Sequence, residues 1–107
     1  MTGQTCTWVG RSGSRYAYEV HPLGTPMRAV PGNYGFAKVA GGRWVPLYFG
    51  QTFNLRDRLE NHERERCARM SGATHIHVHA NGGGEAARRR EEGDLIGGHS
   101  PHCNRLG

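Results

Sequence analysis

Residues Gly32–Leu59 read GNYGFAKVAGGRWVPLYFGQTFNLRDRL, and the fold follows from how this stretch changes rhythm. Tyr34–Val39 and Trp44–Phe49 are apolar-aromatic runs on either side of Gly41-Gly42. Aromatic and β-branched side chains suit a pleated, half-buried surface, and a Gly-Gly pair supplies the positive φ of a tight turn, so the two runs form a hairpin. Pro46 cannot donate to a strand ladder, which places it at an edge or a bulge. Asn54 then stands as an N-cap before Leu55–Met70, a segment rich in Arg and Glu and free of Gly and Pro, which is read as one helix. At helical spacing Leu55, Leu59, His62, Arg66 and Met70 share a side. The pairs Arg56/Glu60, Glu60/Arg64 and Glu65/Arg69 stand four residues apart, so much of the local charge is a solvated, self-neutralising face.

Downstream, Thr74–His79 alternates as a strand does, with Ile76 and Val78 on one face and His75, His77 and His79 on the other, the histidine face being expected on the exposed or substrate side. Asn81–Gly84 is a loop, and Glu85–Ile96 forms a second, shorter helix weakened by Gly93 and stopped by Gly97 and Gly98, with an irregular tail. Upstream, Tyr16–Val20 reads as a strand and Pro22–Pro26 as a turn. The expected architecture is a compact α/β sandwich: a small, mainly antiparallel three-stranded central sheet flanked by helices, plus an N-terminal strand or hairpin extension. Residues 1–31 form that extension, packed on the same domain as residues 32–107.

The 107 residues suffice for one ordinary core. With 36% hydrophobic and 21% charged residues the chain is polar without having the composition of a disordered tail. No apolar run approaches the roughly 18 residues that cross a bilayer, and MTGQTCTWVG resembles no secretion signal, so a soluble, cytoplasmic protein is expected. Cys6, Cys67 and Cys103 are an odd number, which points to reduced thiols. Cys67 and Cys103 with His75, His77, His79, His99 and His102 offer zinc-type ligands, but no Cys-x-x-Cys spacing occurs. A net charge of +5 points to polyanionic partners. Thirteen of the fourteen basic residues are Arg, whose guanidinium fork suits phosphate, although GC-rich coding alone also favours Arg.

Gly32-Asn33-Tyr34, then Tyr48-Phe49-Gly50-Gln51-Thr52-Phe53-Asn54-Leu55-Arg56-Asp57-Arg58-Leu59 with His62, then Glu92-Gly93-Asp94-Leu95-Ile96 and Pro101-His102-Cys103-Asn104, stand in an order that resembles the GIY-YIG nuclease family. The pattern covers Gly32 to Asn104, about two thirds of the chain. Asn33 stands where that family usually has an aliphatic residue, and Phe49 replaces an isoleucine. The resemblance implies a DNA endonuclease that hydrolyses one phosphodiester bond with a single Mg²⁺ or Mn²⁺. On it, Tyr34 and Tyr48 are the motif tyrosines, Arg58 binds phosphate and His62 is its helix neighbour. Glu92 is the metal ligand and Asn104 the C-terminal polar residue, while Lys38, Gln51, Thr52 and Asn54 are expected to contact substrate. DNA is the partner, with no membrane and no obligate protein partner, the chain acting as a monomer or weak dimer.

These residue types suit the chemistry. Phosphodiester hydrolysis requires an in-line water, an acceptor for its proton and cationic groups for the charge that develops on phosphorus-bound oxygen. Glu92 offers one hard oxygen ligand, and a carboxylate with waters and a substrate phosphate is a common way to hold Mg²⁺. Arg58 and His62, four apart on the expected helix, can grip one phosphate from neighbouring turns. Tyr34 or Tyr48 is the candidate base, needing Arg58, Lys38 or a metal to favour a phenolate whose ordinary pKa is about 10; His62, ordinarily about 6.5, is the rival. Trp8, Arg11, Arg15, Tyr16 and Tyr18 interleave aromatics with arginines, which tilts the substrate toward single-stranded DNA. The alternative function is a catalytically silent nucleic-acid-binding module, which would bind with steep salt dependence and cut nothing.

Overall fold

The computed structural model describes residues 3–105; the outermost residues of the two expected segments, 1–2 and 106–107, lie outside the described residues. In chain order the elements are β1 (Gln4–Val9), β2 (Arg15–Pro22), β3 (Gly32–Ala40), β4 (Arg43–Thr52), α1 (Leu55–Glu60), α2 (Glu65–Met70), β5 (His75–Ala80) and α3 (Glu85–His99), followed by a 3-10 turn at His102–Asn104. All five strands join one curled antiparallel sheet in the order β1-β2-β5-β3-β4. The expected three-stranded sheet flanked by helices is therefore corrected. Once β3 pairs with one side of β5, the other side carries a row of backbone donors and acceptors that need partners. β2 supplies them, with Glu19 opposite Val78 and His21 opposite Ile76, and β1 follows as the outer strand.

In the β3–β4 hairpin Tyr34 lies opposite Gly50 and Phe36 opposite Tyr48, and the register shifts between Phe36 and Ala37, where Pro46 is the partner of Ala37. Tyr34, Phe36, Ile76 and Val78 build one core with Leu55 of α1 and Ala68 of α2. The second core holds Trp8, Tyr18, Ala37 and Phe49 with Leu95 of α3. Asn54 accepts from the Asp57 N–H as the N-cap of α1.

Four local expectations are revised. The single helix Leu55–Met70 is two short helices broken at residues 61–64, so Arg58 lies in α1 and His62 between helices. α3 runs past Gly93, Gly97 and Gly98 to His99. At Gly98 a Cβ would stand 2.9 Å from the Arg11 backbone nitrogen, so glycine serves the close packing of the β1–β2 turn rather than helix termination. The histidine face is covered: His77 is fully buried, its Nδ1 accepting from Trp8 Nε1 at 3.0 Å and its ring edge-on to Trp44 at 4.7 Å. Cys67 and Cys103 are joined in a disulfide, tying α2 to the tail, whereas Cys6 is free. Among the described residues, no helix is long and apolar enough to cross a membrane.

Candidate active site

The hairpin register brings Tyr34 and Tyr48 to one face, stacked with ring centroids 6.2 Å apart, and His62 stands edge-on to them at 5.4 and 5.1 Å. Gly50 makes this possible. A Cβ at Gly50 would come within 2.5 Å of Tyr34 Cζ and Oη, so any side chain there displaces the phenol.

His62 is placed by the break between α1 and α2. Its Nδ1 accepts the Arg64 backbone N–H at 3.0 Å, a local side-chain bond that competes with helix continuation, while its Nε2 lies 2.5 Å from Tyr34 Oη. Burial, then the neighbouring Arg58 charge, pushes the His62 pKa down to about 4, so the ring is neutral at physiological pH. A neutral imidazole has one N–H; since Nδ1 is an acceptor, the hydrogen-bond network assigns the proton to Nε2, which donates to Tyr34 Oη. His62 therefore supports the tyrosine oxygen and is not poised to take a proton from water.

Arg58 holds Glu63 in a two-pronged pair, Nη1 and Nη2 donating at 2.8 and 2.9 Å. The guanidinium holds the Glu63 carboxyl down at about 2. Both phenols are raised above the ordinary tyrosine value, chiefly by burial, with Arg58 opposing and Glu92 adding in each case. They differ in access. Tyr34 is 1% exposed and lies beneath the surface, whereas Tyr48, Arg58 and Glu92 are half-exposed. Tyr48 is thus the phenol open to solvent, and the buried Tyr34–His62 pair packs against its ring.

Glu92 comes from α3, and its charge acts on both phenols. Among the described residues its carboxylate makes no hydrogen bond or ion pair, and burial raises its pKa, with Arg89 opposing. A half-buried, unpaired carboxylate fits one hard cation shared with a substrate phosphate. A resident cage is another matter: among the described residues no group of three or more His, Cys, Asp or Glu is gathered. The zinc-type set is likewise not assembled, since Cys67 and Cys103 are bonded to each other.

Of the remaining expected site residues, Asn104, Gln51, Thr52 and Asn54 also make structural hydrogen bonds. Asn104 donates to the Phe49 carbonyl at 2.9 Å and accepts its N–H at 2.8 Å, pairing with the free edge of β4 as another strand would. Lys38 lies four residues along β3 from Tyr34, about 13 Å away, with its stem near Gly72. Gln51 accepts from the buried Arg88 at 3.1 Å. Thr52 Oγ1 accepts the Asn54 N–H at 3.1 Å, and Asn54 caps α1.

Glu91, next to Glu92, is buried and accepts from Tyr18 Oη at 2.6 Å, with His79 Nδ1 at 2.8 Å, so adjacent glutamates on α3 have separate roles. Glu63, Gly50 and the buried Arg88 and Glu91, which Asn81 links by accepting from Arg88 Nη1 on its carbonyl and donating to Glu91 Oε1, were not legible as parts of this region; the glycine two residues after Tyr48 was the one available signal. No protein-family model, no curated protein and no solved structure matches the chain.

Proposed function

We propose that the chain is a metal-dependent DNA endonuclease. The observation that carries this reading is that Tyr48, the half-exposed phenol packed on the buried Tyr34–His62 pair, feels the charges of both Arg58 and Glu92. Arg58 exchanges its exposed partner Glu63 for the phosphoryl oxygens of the substrate, a swap of one two-oxygen acceptor for another. The Tyr48 phenolate, a minority form, accepts the proton of the attacking water as its oxygen bonds to phosphorus; the bond to the leaving oxygen breaks, and that oxygen takes a proton from solvent. The Tyr34–His62 pair holds the Tyr48 ring in place. When bound, a divalent cation supplies positive charge to the phosphoryl oxygens, with Glu92 as its protein ligand.

DNA is met in the cytoplasm, where the Cys67–Cys103 pair would face a reducing thiol pool, so the test is run with and without reductant. End-labelled single-stranded and duplex DNA are incubated with the protein in Mg²⁺, Mn²⁺ or EDTA. Cleavage in the metals, none in EDTA, and its loss in Glu92→Gln and Arg58→Ala variants of unchanged thermal stability are expected. DNA that is bound but uncut under every metal leaves the silent binding module instead.

A further inference from the structure

Phe53 is the exposed aromatic beside this site. It is 78% exposed at the bend between β4 and α1, and with Thr52, Asn54, Asp57, Arg58 and Asn61 it lines a shallow concavity of about 280 Å³. The bend is anchored on both sides of the ring. Thr52 Oγ1 accepts the Asn54 N–H at 3.1 Å, and Asn54 Oδ1 accepts the Asp57 N–H at 3.1 Å, so the backbone carrying Phe53 is fixed to the start of α1. An apolar ring kept in water on an anchored bend contributes nothing to the core.

We propose that this concavity is a stacking subsite for an unpaired nucleobase, with Phe53 as its platform and Arg58 holding the adjoining phosphate, so that the substrate is single-stranded or locally melted DNA. The proposal rests on the nuclease reading for the place of the phosphate. Every base has a π-face that an aromatic ring can cover, but in a duplex both faces are taken by neighbouring bases. Asn54, Asp57 and Asn61 place polar side chains on the same wall, and a base lying on Phe53 meets them at its edge. The subsite joins a ring for the base to a guanidinium for the phosphate, the two contacts that backbone-tracking single-strand sites combine.

Binding is measured by fluorescence anisotropy in EDTA, so that nothing is cut, with three labelled probes: a single-stranded oligothymidylate, the same length of base-free sugar-phosphate strand, and a duplex. Phe53→Ala is expected to weaken oligothymidylate binding roughly 5- to 100-fold while leaving the base-free strand and the duplex within about twofold, and Phe53→Trp to restore it. Equal losses on all three probes, or none on oligothymidylate, overturn the subsite, as does a wild-type protein that binds no single strand. Failure of the nuclease reading looks different: Phe53-dependent binding without cleavage in any metal removes the enzyme and leaves the subsite standing. Cleavage by a Phe53→Ala protein that binds all three probes as wild type does removes only the subsite.

Discussion

Replacing His77 by Gln should flatten the acid side of the stability curve. His77 is 0% exposed, its Nδ1 accepts from Trp8 Nε1, and among the described residues its Nε2 has no hydrogen-bond partner. Burial, then the charges of His75 and His21, pushes its pKa down to about 4 from 6.5. The unfolded chain therefore binds a proton near pH 6.5 that the folded chain refuses until about pH 4. Stability from His77 is complete above pH 6.5 and lost as pH falls to 4, in all about 3 kcal/mol at 1.36 kcal/mol per pH unit. His62, pushed to the same value, adds a parallel loss over the same window. Glu63, held at about 2, acts below pH 4.5, and Glu92, raised by burial, works with the opposite sign in both proteins. Gln keeps an acceptor for Trp8 and removes the titration, at a cost of about 1–2 kcal/mol near pH 7. Urea unfolding followed by tryptophan fluorescence from pH 7.5 to 4 measures the difference. His77→Gln should lose roughly half of the wild-type decline; an unchanged decline refutes the reasoning.

The other expectations concern the site and its frame. Gly50→Ala drives a methyl group into Tyr34 and should cost about 1–3 kcal/mol of stability and on the order of a hundredfold in cleavage rate, read by thermal melts and single-turnover kinetics. Glu63→Gln releases Arg58 and should tighten DNA binding about two- to fivefold at low salt; weaker binding would mean that Glu63 positions the guanidinium rather than competing with phosphate. Replacing Cys67 and Cys103 by Ser opens a loop of 36 residues and should lower stability by about 3–4 kcal/mol, read as a shift of the urea midpoint that reductant reproduces in the wild type. With Tyr48 as base, the cleavage rate should rise about tenfold per pH unit between pH 6.5 and 9, because its phenol titrates above that range; with His62 as base, at about 4, the profile would be flat.

The hairpin was readable because its cause is local: two apolar-aromatic runs, a Gly-Gly turn, and a proline that meets a register shift beside it. Asn54 as a cap was readable for the same reason. What escaped has causes distant in the chain. The break between Leu55 and Met70 escaped because the local bond from the Arg64 N–H to His62 is completed by a contact from His62 to Tyr34, 28 residues earlier. The histidine face alternates as expected, yet its partners Trp8 and Trp44 arrive from the first and fourth strands. Glycines 97 and 98 resemble a helix stop until the β1–β2 turn is seen packed against them. Tyr34 and Tyr48 were interchangeable on paper, and only burial separates the supporting phenol from the reachable one.

The Tyr48→Phe variant bears most directly on the proposed chemistry, since it keeps the ring against Tyr34 and His62 and deletes one oxygen. Single-turnover cleavage of a labelled single strand in Mg²⁺ should fall about 10²- to 10⁴-fold, with DNA affinity in EDTA and thermal stability unchanged. A Tyr48→Phe protein that cuts at the wild-type rate would contradict the assignment.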